Sequence, residues 1–244
     1  MKTISKNRAV DIEPDFASGE VILLDKKLRK SSFDYVYKVR KTAGVKKVGH
    51  AGTLDPMATG LMIICTGRMT KEISKIQDFE KTYTGIFTLG KTTPSFDSET
   101  EFDSHEEKSF EHITEEEIYR VRDLFMGNIA QTPPMYSAVK HNGKALYHYA
   151  RKGVEVERRQ RKVFISKFEI TKIDLPDIHF EISCSKGTYI RVIANDFGKQ
   201  LGCGAFLKEL RRTRIGSYSV DDALEIEEFQ ELVKNYSLVI SSKD

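Results

Sequence analysis

The chain has 244 residues, 39% hydrophobic and 31% charged, which is enough apolar material for one large core or two smaller ones. No apolar run reaches the roughly eighteen residues of a membrane span, and the opening "MKTISKNRAVDIEPDF" lacks the apolar stretch of a signal peptide, so the sequence points to a cytoplasmic protein. Three cysteines, Cys65, Cys184 and Cys203, are odd in number and without C-x-x-C spacing, which excludes a disulfide framework and a zinc site.

In chain order, "GEVILLD" and "GLMIICTG" are apolar runs of strand length, separated by "SFDYVYKVRKTAG", which suits a helix ended by glycine. "KTYTGIFTL" has strand composition. "TEEEIYRVRDLFMG" opens with a capping box formed by Thr114 and Glu117. Asn142-Gly143 in "VKHNGKAL" signals a hairpin, with a short helix over "ALYHYARKG". "RKVFISKFEITKID" and "DIHFEISCS" read as neighbouring strands, before a helix from about Tyr189 to Leu201. The order predicts an α/β (α+β) domain with a mixed, mainly antiparallel sheet flanked by helices.

Net charge is only +3, from 39 basic and 36 acidic residues, so composition alone announces no nucleic-acid partner. The distribution is more informative. Basic residues gather in "KKLRK" (26–30), "RRQRK" (158–162) and "KELRRTR" (208–214), while acids crowd 98–117. Such segregation fits a cationic face that tracks phosphates, although each run read singly is equally a solvated face.

Familiar chemistries fail on detail. "GIFTLGKT" satisfies the phosphate-loop pattern G-x-x-x-x-G-K-[ST], but Ile86, Phe87 and Leu89 fill positions that must be small, and no helix pattern follows. The six histidines form no H-x-x-x-H pair. There is no G-x-S-x-G elbow, and Cys65 lies inside an apolar run, where a thiol is inert. What remains is "GHAGTLDPMATG", 49–60, which surrounds one carboxylate, Asp55, with turn-forming residues. Taken alone it reads as a tight turn in which Asp55 accepts backbone hydrogen bonds.

That loop, extended to "GHAGTLDPMATGLMIICTGRMTK", resembles the signature of the bacterial tRNA pseudouridine synthase B family, which modifies position 55 of tRNA. The separate blocks "KTYTGIFTLGKTT", "QTPPMYSAVKHNGKALYHYARKG" and "CSKGTYIRVIANDFGKQLGCGAFLKELRRTRIG" follow in the family's order. Together they run from about Gly19 to Gly216. The resemblance implies a pseudouridine synthase fold in which Asp55 is the nucleophile, Arg191 the cation that keeps it ionised, and Tyr83 the ring that stacks on a flipped uracil near the C5 proton. It further implies that His50, Tyr189, Leu210, Lys26 and Lys71 bind substrate. The expected partner is the T-arm of tRNA, met by a monomer that needs no cofactor, no metal and no obligatory protein partner.

Two departures stand out. The family's usual D-K-P-x-G-x-T-S reads "DKKLRKSS" here, with Lys27 and Arg29 in place of proline and glycine. Only about thirty residues follow Gly216, too few for the RNA-binding PUA domain that many members carry. The expected organisation is an N-terminal extension (1–18), a catalytic domain (19–216) and a helical tail (217–244). Two alternatives stay open: a synthase for another RNA, and a non-catalytic RNA-binding or tRNA-folding protein. The missing PUA domain counts against the first, and the joint presence of Asp55, Tyr83 and Arg191 against the second.

Overall fold

The computed structural model describes residues 3–8, 14–103 and 109–241, the side chains of 237–241 excepted. Residues 104–108 of the acidic run, His105 among them, and parts of the N-terminal extension and tail lie outside the described residues. The elements are β1 (Thr3–Ile4), β2 (Val21–Lys26), α1 (Ser32–Ala43), β3 (Val48–His50), β4 (Ala58–Thr66), α2 (Ile73–Asp78), β5 (Lys81–Leu89), α3 (Glu115–Asp123), β6 (Gly127–Gln131), β7 (Lys140–His141), β8 (Lys144–Ala145), α4 (Leu146–Ala150), β9 (Arg161–Asp174), β10 (Asp177–Cys184), α5 (Ile190–Leu201), β11 (Ala205–Ile215), β12 (Tyr218–Ser219) and α6 (Ile226–Ser241).

Local signals account for most of these. Ser31 caps α1 in a capping box with Asp34, which satisfies orphan N–H groups at its start, and Gly44 ends it in the left-handed region at φ 65°. The box at Thr114 and Glu117 opens α3 as the sequence predicts. Asn142 and Gly143, at φ 49° and 78°, form the two-residue turn between β7 and β8. The segment that satisfies the phosphate-loop pattern lies largely in strand β5. The predicted helix after "SKGT" runs from Ile190, with Tyr189 as its cap residue.

The chain divides into two compact units, 1–82 with 211–244, and 83–210. In the first, β2 pairs antiparallel with β4, from Val21 opposite Cys65 to Lys26 opposite Gly60. β1 adds to β2 in parallel, β3 and the end of β11 flank β4, and β12 pairs with β11. Val21, Leu23, Leu61, Ile63, Cys65 and Ile215 are all buried in one apolar cluster. All three cysteines are buried and outside any disulfide, and burial pushes the Cys65 thiol up to about 12, which leaves it protonated and inert.

In the second unit the strand order is β11-β5-β10-β9-β6. β9 and β10 form a long antiparallel pair, and β6 is antiparallel to β9. Its core is aromatic. Phe87 of β5 lies 4.2 Å from Phe180 of β10 and 5.7 Å from Phe197 of α5, ring centre to ring centre. These contacts lay α5 against the sheet and thereby fix the residues at its first turn.

Three described residues other than glycine hold a positive φ, namely Arg29, Phe96 and Asn142, and the first bears on the family's motif. Arg29 takes φ 60°, the conformation that glycine adopts at no cost, at the position where the family's motif has glycine. An L-residue there costs about 1–2 kcal/mol, which glycine's extra unfolded-state freedom offsets in part. Arg29→Gly is therefore expected to raise stability by about 0.5–1 kcal/mol, read as an upward shift of the urea midpoint with an unchanged slope.

Candidate active site

In the first unit Asp55 sits, half-buried, in the loop between β3 and β4. Four hydrogen bonds hold that loop at three of its residues. Ser32 at the start of α1 engages Leu54 twice: its Oγ donates to the Leu54 carbonyl at 2.9 Å and accepts the Leu54 N–H at 2.8 Å. The Arg29 N–H donates to the Pro56 carbonyl at 2.9 Å, and the Ala58 N–H to that of Asp55 at 3.0 Å.

The other supports are buried cations. Lys26 is fully buried, and its ammonium donates to the carbonyls of Lys30 (2.7 Å), Lys27 (3.1 Å) and Pro56 (3.3 Å). Arg212, also buried, donates from Nε to the Leu61 carbonyl at 2.7 Å and from Nη2 to the Gly52 carbonyl at 3.1 Å. The backbone of Arg212 comes so close to Gly60 that a Cβ there would stand 2.3 Å from the Arg212 oxygen. Lys26, expected to meet substrate, thus faces inward and supports the loop one residue beyond Asp55. Lys71 lies in the last turn of a short 3₁₀ helix, Gly67–Glu72, and is exposed.

His50 closes β3, and its Nδ1 accepts the Gly52 N–H at 3.3 Å, which leaves the proton of the neutral ring on Nε2. Burial, aided by the positive charge of Arg212, holds its pKa below the ordinary 6.5.

In the second unit Tyr83 is half-buried near the start of β5, Leu210 is half-buried on β11, and Arg191 is buried in the first turn of α5. The Arg191 guanidinium lies 5.4 Å from the Tyr189 ring centre. Its Nη1 donates to the Ser95 carbonyl at 3.4 Å, and its Nε stands 3.7 Å from Oδ2 of Asp97.

Asp97 is a carboxylate that sequence reasoning missed. It is almost fully buried and accepts from the Ser95 hydroxyl at 2.5 Å and the Glu99 N–H at 3.0 Å. The signal in the sequence was "TPSFDSET", small polar residues clustered on one acid. Ser32 and Arg212 were missed as well, the latter because it stands in a run read as a phosphate-binding face. That run, "KELRRTR", is largely engaged within the protein: Lys208 pairs with Asp177 at 2.7 Å and Arg211 with Asp25 at 2.6 Å. Lys27 likewise sits between Glu225 (2.5 Å) and Glu227 (3.4 Å).

Two outcomes follow from this geometry. An imidazole NMR titration should place the His50 midpoint below 6.5; because the unfolded chain then holds more protons in the window between the folded value and 6.5, stability should rise with pH across it and stay level above. Removing the buried partner of Arg191 by Asp97→Asn should cost about 3–5 kcal/mol, the range for breaking a buried charge pair, read from denaturant unfolding.

A family model described as TruB family pseudouridylate synthase (N terminal domain) matches residues 40–190, and one described as tRNA pseudouridylate synthase B C-terminal domain matches residues 191–239. Proteins named tRNA pseudouridine synthase B from Flavobacterium johnsoniae and Chloroherpeton thalassium are 49% and 48% identical to the chain. The first alignment covers 89% of this chain and 97% of that protein, and the second 88% and 90%. A solved structure described as a Cbf5-Nop10-Gar1 complex contains a chain that matches with a TM-score of 0.68 at 28% identity, over 88% of this chain and 54% of that one. This chain therefore spans about half the length of that structural relative, but nearly all of the two sequence relatives. With family models matched over residues 40–239 and relatives this similar over most of its length, the chain belongs to the TruB family of pseudouridine synthases.

Proposed function

We propose that this protein isomerises uridine to pseudouridine in the T-loop of tRNA, acting in the cytoplasm as a monomer without a cofactor. The observation that carries the reading is how Asp55 is held. Its loop is fixed by Ser32 on the residue before it and by Lys26 on the residue after it, while Asp55 itself is only half-buried. A tight turn needs no buried cations to hold it. A nucleophile does need its backbone fixed and its carboxylate accessible.

The reaction is balanced without a redox partner. The C1′–N1 bond of uridine breaks, the uracil turns, C1′ bonds to C5, the C5 proton leaves and N1 takes one up. An ionised carboxylate serves each route to that end, by attack on C1′, by addition to C6 or by assisting a glycal-type intermediate. The target base must first leave its stack, at a cost of a few kcal/mol. A ring such as Tyr83 offsets part of that by stacking, and its hydroxyl lies near the departing C5 proton on the family's pattern.

Arg191 takes the role of the cation that opposes desolvation of Asp55 when RNA covers it, since a guanidinium keeps its charge in a dry site where an ammonium loses it. Asp97 and Ser95 give Arg191 a fixed position in its own unit. His50, Tyr189 and Leu210 meet the flipped nucleotide on this reading, and Lys71 meets backbone phosphate. The names of the relatives support tRNA as the substrate.

The test is release of label from C5 of uridine in an unmodified tRNA transcript. Asp55→Asn keeps the shape of the side chain and removes its charge, so turnover should vanish while tRNA affinity stays within several-fold. A variant retaining about a tenth of wild-type turnover would show that Asp55 is not the nucleophile.

A further inference from the structure

Strands β6 and β9 bring Gln131 and Arg161 directly opposite each other, and both side chains act on one residue, Tyr189. Gln131 is buried. Its amide grips the Tyr189 backbone in both directions, accepting the N–H at 3.0 Å and donating to the carbonyl at 3.2 Å. Arg161 lies on the ring, its guanidinium carbon 4.6 Å from the ring centre. Its Nη1 passes 3.4 Å from where a Cβ of Gly187 would stand, and Gly187 holds φ 81°, so glycine both turns the chain and leaves the guanidinium room.

What Arg161 lacks is an anion. Among the described residues its guanidinium has no carboxylate within ion-pair distance, and its Nε is buried without an acceptor. Neighbouring Arg158, from the same basic run, is by contrast satisfied by Glu155 at 2.7 Å and the Pro133 carbonyl at 3.3 Å. A guanidinium cannot shed its proton to escape such a position. Stacking occupies only its face, and the edge that carries its paired donors is the part that matches a phosphate in two-pronged fashion.

We propose that Arg161 binds a backbone phosphate of the RNA strand that carries the target nucleotide, with Tyr189 as the platform that holds its plane. This rests on the RNA reading of the preceding section. It singles out one arginine from the run "RRQRK" and gives it a partner, a phosphodiester. The clamp by Gln131 makes the platform rigid, so that the charge is placed before RNA arrives.

The experiment measures tRNA affinity over a range of salt, the single-turnover rate at saturating enzyme and the melting temperature, for the wild type, Arg161→Gln and Arg161→Lys. Loss of one phosphate contact lowers the slope of log affinity against log salt by about 0.7 to 0.9. Arg161→Gln should show that loss and bind about tenfold more weakly, as expected for one charge-assisted hydrogen bond, with the saturated rate within about threefold of the wild type. Arg161→Lys should keep the slope and lose only part of the affinity, because the charge remains and the fork does not. Unchanged affinity and slope in Arg161→Gln would overturn the proposal, as would a lower saturated rate at unchanged affinity, which would make Arg161 a positioning residue for Tyr189. Should Arg161→Gln fail to fold, full wild-type affinity in Arg161→Lys overturns the proposal and weaker affinity at the wild-type slope supports it. Wild-type turnover in the same assay separates the two readings: no turnover counts against the proposed function, whereas turnover with a slope indifferent to Arg161 counts against this inference alone.

Discussion

A cation buried away from water has to give its protons to acceptors nearby, and in the first unit Lys26 and Arg212 each find one of theirs in the loop that carries Asp55. Lys26 reaches Pro56 from the end of β2, and Arg212 reaches Gly52 from β11. Gly60 faces Lys26 across the β2–β4 pair and is pressed against the Arg212 backbone, so the two supports are built on the strands either side of β4. The loop thereby inherits the rigidity of the sheet although it has little secondary structure of its own. Its glycines follow from the same constraint, because side chains at Gly60 would stand where the arginine's backbone passes.

The second unit fixes its candidate site residues with the opposite charge. Asp97 is the buried ion there, and the segment 93–100 folds around it, with Ser95 and Glu99 donating to one oxygen and Arg191 facing the other. Gln131 adds a neutral clamp at the next-but-one residue, Tyr189. Buried polar groups of this kind are worth having only when each finds its partners, and when they do, they tie a structure to a single arrangement. The cost is that every member becomes hard to replace, which is why a single buried acid such as Asp97 matters to residues far along the chain.

The elements were legible in the sequence because their causes are local. A capping box spans three residues, a hairpin turn two, and the apolar runs of β2 and β4 announce buried strands by themselves. The position of Asp55 was legible too, through its motif. The partners of the buried charges were not, since they lie 30 residues away for Lys26 and Pro56, 96 for Arg191 and Ser95, and 160 for Arg212 and Gly52. Nothing in "KKLRK" or "KELRRTR" distinguishes a lysine that faces inward from one that faces solvent. Charge patterning describes composition along the chain, whereas burial depends on which strand arrives alongside.

The same limit bears on how the protein holds RNA. Counting basic runs suggests a broad cationic surface, yet Lys26 and Arg212 are turned inward, and Lys27, Lys208 and Arg211 already face carboxylates. The pairs of Lys27 and Lys208 are solvent-exposed on one or both sides and weak, but a cation with a carboxylate beside it must exchange one anion for another when phosphate arrives. It then contributes less to binding than one that releases only a counterion. Affinity drawn from charge is therefore concentrated in fewer residues than the runs contain, and a protein with few phosphate contacts cannot choose its uridine by electrostatics. The choice has to come from the shape of the RNA that presents the base.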